Sequence, residues 1–343
     1  MRKGKELRAK SLTCDPLTSE MIDGLVSTII PVQNRPAMLG EAVASVLAQT
    51  YRPIEIIIVD DGSTDETARV ADNLAAQNPN EILVVHQANT GSGLAREAGR
   101  KLAKGSFIQY LDSDDIVLPR KFEQQVAGLN SNSQCGVSYG KTRFGRKGEA
   151  LNAVAWKRTG ERIDTMFPSF LKSRWWGTST PLYRRRVTDE AGSWLDLRNE
   201  EDWEYDCRIA TQAIQLNYVA EFVSEERDHD EHRLSRGGTR DKRKLKDRAT
   251  AHALILTHAR QAGIRDGATD MQHFARELFL LSRQCGAAGL DEESKELFAL
   301  ARKASGEVRG RAWDFEMYSF FANVVGWTRA GKLACFSDRY RRA

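Results

Sequence analysis

The feature that most constrains this chain is a regular alternation between residues 25 and 112. Short apolar, β-branched runs take turns with stretches whose apolar residues recur at helical spacing. "LVSTIIP" (25–31), "IEIIIVD" (54–60), "EILVVHQ" (81–87) and "SFIQYLD" (106–112) read as strands. "PAMLGEAVASVLAQT" (36–50), "STDETARVADNLAAQ" (63–77) and "GLAREAGRKLAKG" (93–105) read as helices. Pro36 suits a first helical position, Ser63 with Glu66 suits a capping box, and Gly105 suits a helix end. The second run is almost unbroken in apolar residues, as in strands buried on both faces. Strand and helix alternating at this spacing give βαβ units, hence an α/β fold with a mainly parallel sheet flanked by helices.

Such sheets bind ligands outside the carboxyl ends of their strands. Gln33, Asn34 and Arg35 follow the first strand, Asp60 and Asp61 end the second, and "LDSDD" (111–115) ends the fourth. Asp112, Asp114 and Asp115 repel one another unless a cation sits among them. A structural alternative is a helix N-cap cluster ahead of Pro119. The functional alternative is a D-x-D site, since Mg²⁺ or Mn²⁺ needs only one or two carboxylates besides substrate phosphate. Asp60, at the end of an apolar strand, is placed to accept a base N–H. "NTGSGLAREAG" (89–99) lacks the third glycine of a dinucleotide fingerprint, because Arg96 stands there.

Beyond residue 130 the pattern loosens. "KSRWWGTSTPLYRRRV" (172–187) mixes aromatics, hydroxyls and arginines, and "LRNEEDWEYDCRIA" (197–210) leads acids into a helix. Residues 233–250 hold eight Arg/Lys against two Asp, which reads as a hinge or basic surface segment. From 251 the chain reads helical, with a hairpin over 269–304 turning at Gly289. The aromatic and basic tail from Trp313 fits either a core-packing helix or one lying on an anionic bilayer. The boundaries expected are a poorly ordered basic leader (1–24), a sheet domain (25–235, halves 25–115 and 116–235), a basic linker (236–250) and a helical region (251–343).

At 343 residues the chain can bury a sizeable core, and a net charge of +4 does not by itself call for nucleic acid. No aromatics interleave with the basic run to read bases. Five scattered cysteines with no CxxC pair exclude a zinc or disulfide framework and suit the cytoplasm. No stretch approaches the roughly 18 apolar residues of a membrane span, so any membrane contact is expected to be peripheral.

The stretch from "TIIPVQNRPAMLGEAVASVLAQTYRPIEIIIVDDGSTDET" to "NTGSGLAREAGRKLAKGSFIQYLDSDD" resembles the family 2 glycosyltransferases of GT-A (Rossmann-like) fold, continuously over about 90 residues and intermittently to about 235. The resemblance implies a nucleotide-diphosphate sugar donor, UDP by family tendency, a divalent Mn²⁺ or Mg²⁺, and inversion at the anomeric carbon. It places Pro31, Gln33, Asn34 and Arg35 along the nucleotide, Asp60 or Asp61 on the base, and Arg96 near the donor. Asp112 and Ser113 face ribose and diphosphate, and Asp114 ligates the metal. Gln33 departs from the tyrosine common in the family. Direct displacement needs a general base on the acceptor hydroxyl, and the resemblance points to the pair Glu201–Asp202, with Asp202 as base. "ERDHDEHRLS" (226–235) supplies a metal-site histidine, His229 by spacing or His232. Trp175 and Trp176 form either an acceptor platform or two core side chains. The acceptor class implied is a glycan or lipid-linked glycan in surface polysaccharide assembly, with peripheral contact at the inner membrane face. A sugar nucleotidyltransferase would want a glycine-rich loop where "PVQNRPAM" stands, and a silent binding scaffold would have lost the acids.

Overall fold

A computed structural model describes residues 21–149, 152–229 and 241–340. Strand β1 (Ile22–Val32) leads into helix α1 (Pro36–Leu47), then β2 (Ile54–Asp61), α2 (Thr67–Gln77), β3 (Ile82–Gln87), α3 (Ser92–Leu102) and β4 (Gly105–Tyr110). The second half follows with β5 (Ile116–Val117), α4 (Lys121–Ser131), β6 (Cys135–Arg146), β7 (Leu182–Arg184), α5 (Arg185–Ala191), α6 (Glu201–Ile209) and β8 (Gln215–Asp228). Helices α7 (Lys242–Gln261), α8 (Thr269–Ala287), α9 (Asp291–Ala304), α10 (Glu307–Gly310), α11 (Trp313–Val325) and α12 (Trp327–Tyr340) close the chain.

Among the described residues the strands form one eight-stranded sheet in the order β3-β2-β1-β4-β7-β6-β8-β5. The first four are parallel to one another, β7 runs antiparallel between β4 and β6, and β8 returns parallel to β6. Alternate residues of β1 and β2 enter opposite cores. Ile29, Ile57 and Val59 join one, while Val26, Ile30, Ile56 and Ile58 join the other with α1. Burial on both faces explains the nearly unbroken apolar runs. The first core continues through Tyr205 of α6 to Leu245, Ile255 and Phe274, so the carboxy-terminal helices share it.

Several local expectations shift. Helix α2 begins at Thr67, four residues after the expected cap, and its end carries no side-chain cap. Ser63 Oγ instead accepts the Asn34 amide (3.0 Å), and Asp65 accepts that of Thr67 (2.9 Å). Those residues form a turn closing on the loop after β1. Gly62 is required there: its φ is +72°, and a Cβ would lie 2.8 Å from the Asn89 nitrogen. Gly105 opens β4 rather than ending α3, and β1 begins at Ile22, inside the expected leader. Residues 242–250, expected as linker, are the first turns of α7, whose Asp241 side chain accepts the amides of Arg243 and Lys244.

Candidate active site

A cavity of about 530 Å³ opens at the carboxyl edge of β1, β2 and β4. Pro31, Gln33, Asn34 and Arg35 line it from the first loop, Asp61 from the second, and Asp112, Ser113 and Asp114 from the fourth. Arg96 enters from α3, and Glu201 and Asp202 close the far side from the start of α6. Residues read from loops far apart in sequence thus share one pocket.

The two strand-end acids divide. Asp60 does not line the cavity. It pairs in register with His86 of β3, and its Oδ2 meets His86 Nδ1 at 2.9 Å. The other imidazole nitrogen reaches Asp72 of α2 at 3.0 Å, and the two carboxylates raise the His86 pKa, Asp60 most. Strand alternation turns Asp61 the opposite way, where Oδ2 accepts the Gly91 amide (2.8 Å) and Oδ1 that of Thr90 (2.8 Å). Asp61 therefore shapes the start of α3 as well as lining the pocket.

Ion pairs cross the cavity, although its lining holds eight carboxylates against four cations. Arg96, 4% exposed, donates to Asp112 Oδ1 at 2.7 Å and to Glu201 Oε1 at 2.9 Å. Arg35 lies 2.9 Å from Asp114 Oδ2, and His229 Nε2 meets the same oxygen at 2.8 Å. Asp115 is buried, takes the Ser179 hydroxyl at 2.7 Å, and is pushed well up by burial and by Asp114, Glu226 and Asp112. His232 lies outside the described residues.

The acid pair differs in environment. Glu201 is buried against Arg96 and Ser92 (2.7 Å), and burial raises its pKa. Asp202, its side chain 29% exposed, accepts the Trp203 amide at 2.7 Å and a hydrogen bond from Arg174. Burial pushes its pKa up, but Arg174, Arg96 and Lys157 outweigh that and hold it below the usual range. Asp202 is thus the more exposed member, with its carboxyl held lower than that of Glu201.

Trp175 and Trp176 are core, not an acceptor platform. Both are buried and neither lines the cavity. Trp176 packs on Tyr139 and Phe170 and donates its indole N–H to Asp206 (3.0 Å). Arg158 covers the Trp175 ring at 4.1 Å.

Several site residues escaped the sequence reading: Lys157, Arg198, Glu200 and Glu226 line the cavity, and Arg174 backs Asp202. Arg174 and Arg198 sat in the two irregular stretches singled out for mixed aromatics and charge, but their pairings depend on the fold.

One carboxylate and one imidazole are the candidate donors for a divalent cation. Among the described residues no three His, Cys, Asp or Glu side chains gather round one point. Asp114 and His229 nevertheless share one oxygen's surroundings and offer a carboxylate and an imidazole. A single carboxylate can serve a Mg²⁺-type ion that keeps water and substrate phosphate in its remaining positions, and the imidazole suits Mn²⁺ better than Mg²⁺.

Residues 27–187 match the profile of Glycosyl transferase family 2. An uncharacterized glycosyltransferase of Nostoc sp. is 41% identical over 114 residues, 33% of this chain and 35% of that protein. The chain spans less than half the length of the first curated relatives it matches. The crystal structure of S. aureus TarS 1–349 in complex with UDP-GlcNAc superposes with a TM-score of 0.64 at 17% identity, over 92% of this chain and 91% of that one. A Pyrobaculum calidifontis mannosyltransferase in complex with GDP-Man and Mn²⁺ gives 0.50 at 14% identity, over 90% and 85%. Residues 27–187 thus match the family 2 glycosyltransferases, and the mixed, largely parallel sheet with its helical carboxy-terminal region is a GT-A fold.

Proposed function

We propose that the protein is a metal-dependent, inverting glycosyltransferase that moves a sugar from a nucleotide-diphosphate donor, UDP-linked by preference, to a glycan or lipid-linked glycan in surface polysaccharide assembly. One observation carries this reading: a single cavity joins Asp112 and Asp114, after β4, to Glu201 and Asp202, at the start of α6. The complexes of TarS with UDP-GlcNAc and of the mannosyltransferase with GDP-Man and Mn²⁺ support a nucleotide sugar in a cavity of this fold.

In this reading Pro31, Gln33, Asn34 and Arg35 bound the nucleotide, and Asp61 replaces Asp60 as the acid nearest the base. Arg35, Arg96, Lys157 and Arg198 surround the diphosphate with positive charge. Asp114 and His229 would hold Mn²⁺ or Mg²⁺, which when bound neutralises charge on the departing diphosphate. Asp202 takes the proton from the acceptor hydroxyl as that oxygen attacks the anomeric carbon from the face opposite the diphosphate. Arg174 keeps Asp202 ionised and fixes its direction, while Glu201, tied to Arg96 and Ser92, positions the donor side.

The reading extends to an anionic bilayer as the surface on which the acceptor is met. Trp313, Phe320 and Val324 stand exposed on α11, and Leu333 and Phe336 on α12, beside exposed Arg329 and Lys332. Amphipathic helices of this kind bind the interface without crossing it. Among the described residues no helix is long and apolar enough to cross a membrane.

The test is nucleotide release from UDP- and GDP-sugars with Mn²⁺ present. Release from one donor class, raised by lipid-linked or polysaccharide acceptors, is expected. Absence of both release and nucleotide binding across the panel overturns the reading.

A further inference from the structure

The pocket wall formed by residues 198–202 is tied to α7. The Arg198 amide donates to Asp247 Oδ2 at 3.0 Å. Glu200 Oε1 accepts from Arg248 Nε at 2.7 Å, and its Oε2 lies 2.9 Å from His252 Nδ1. One turn into α6, Glu204 Oε1 meets His258 Nε2 at 2.9 Å. Arg248, His252 and Ile255 recur at i, i+4 and i+7, so one face of α7 reaches this segment and the core together. His252 is itself fixed, buried edge-on to Trp203 and stacked on Phe274.

Glu200 is also the one residue of this wall in the left-handed region, at φ +62°, ψ +18°. A glutamate rarely adopts that conformation, and it persists where the surroundings over-determine it. It is the residue from which α6 starts, two before Asp202. The direction in which Asp202 leaves the backbone is therefore set at Glu200.

We propose that Arg248 is a positioning residue: acting through Glu200, it fixes the start of α6 and aims Asp202 into the cavity. The carboxy-terminal helical region is then a working part of the active site. Its consequence for turnover rests on the glycosyltransferase reading; its consequence for local order does not.

The test compares Arg248→Met, Arg248→Lys, Glu200→Gly and the Arg248→Met/Glu200→Gly double variant, all in the full chain. Arg248→Met removes the guanidinium but keeps the stem. Glu200→Gly adopts the same φ without strain yet has no side chain to hold. Hydrogen exchange over residues 198–206 is expected to rise in Arg248→Met and Glu200→Gly, with β1–β4 unchanged. Turnover is expected to fall by about a hundredfold, the loss typical of a misplaced catalytic group, with KM for the nucleotide sugar within about threefold. Arg248→Lys should recover part of that loss, and the double variant should be no worse than Glu200→Gly alone. Unchanged exchange in this segment overturns the proposal, as does a lower melting temperature with kcat intact. A wild-type chain that neither binds nor turns over nucleotide sugars overturns the functional reading, and the exchange data then decide the positioning role alone.

Discussion

Replacing Asp202 by asparagine isolates the proposed base from its scaffold. Asparagine keeps the size of the side chain, and its carbonyl can still accept the Trp203 amide now held at 2.7 Å. Its NH₂ then faces Arg174, donor against donor. Arg174 still has Asp206, whose Oδ2 accepts its Nε at 2.8 Å. One buried donor left without an acceptor costs about 1–3 kcal/mol, and the partial exposure of this side chain places the loss toward the lower end. A fold stabilised by roughly 5–15 kcal/mol survives that. The chemical loss is larger: removing a general base costs about 10²- to 10⁴-fold, or about 2.7–5.4 kcal/mol of barrier at 1.36 kcal/mol per decade. The assay is nucleotide release at saturating donor, with thermal unfolding and nucleotide titration on the same preparation. Near-native folding and binding with a hundredfold or greater loss of turnover is expected. A variant within tenfold of wild type refutes Asp202 as the base.

Activity should fall on acidification as Asp202 gains a proton. Because Arg174 is the chief influence holding that carboxyl low against burial, Arg174→Met should move the acid limb of the kcat/KM profile to higher pH; an unmoved limb contradicts the pairing. Arg96→Met leaves Glu201 and Asp112 without their shared cation, and breaking such a buried pair costs about 3–5 kcal/mol, readable in the denaturant midpoint; a midpoint like wild type would show the charges are not coupled. Full-length protein should sediment with vesicles containing anionic lipid, less so at high salt, and Phe320→Glu with Phe336→Glu should abolish this; equal binding to neutral vesicles would argue against an anionic surface.

The sheet and the converging acids were legible because period-2 and period-3.6 patterns fix which loops share the carboxyl edge. That logic gathered the loop after β1, Asp61 and residues 111–115 at one edge, whereas the pair Glu201–Asp202, which shares their cavity, was pointed to only by the resemblance. What failed depended on neighbours distant in sequence. Asp60 and Asp61 look alike in "VDDGSTD", but register against His86 and Gln87 sends them to opposite faces. Trp175 and Trp176 could be read either way until Tyr139, Phe170 and Asp206 enclosed Trp176. The apparent cap at Ser63 was taken by the Asn34 amide, 29 residues earlier. Charge in residues 242–250 suggested a linker, yet Leu245 and Ala249 among those charges pack into the core and make it a docked helix.

The central claim is a nucleotide site whose acids hold a divalent ion. Calorimetric titration with UDP and with GDP, each with Mn²⁺ and with EDTA, on wild type and Asp114→Ala, tests it most directly. The account predicts binding of one nucleotide that EDTA weakens and that Asp114→Ala loses. No binding of either nucleotide, or binding indifferent to metal and to Asp114, would contradict it.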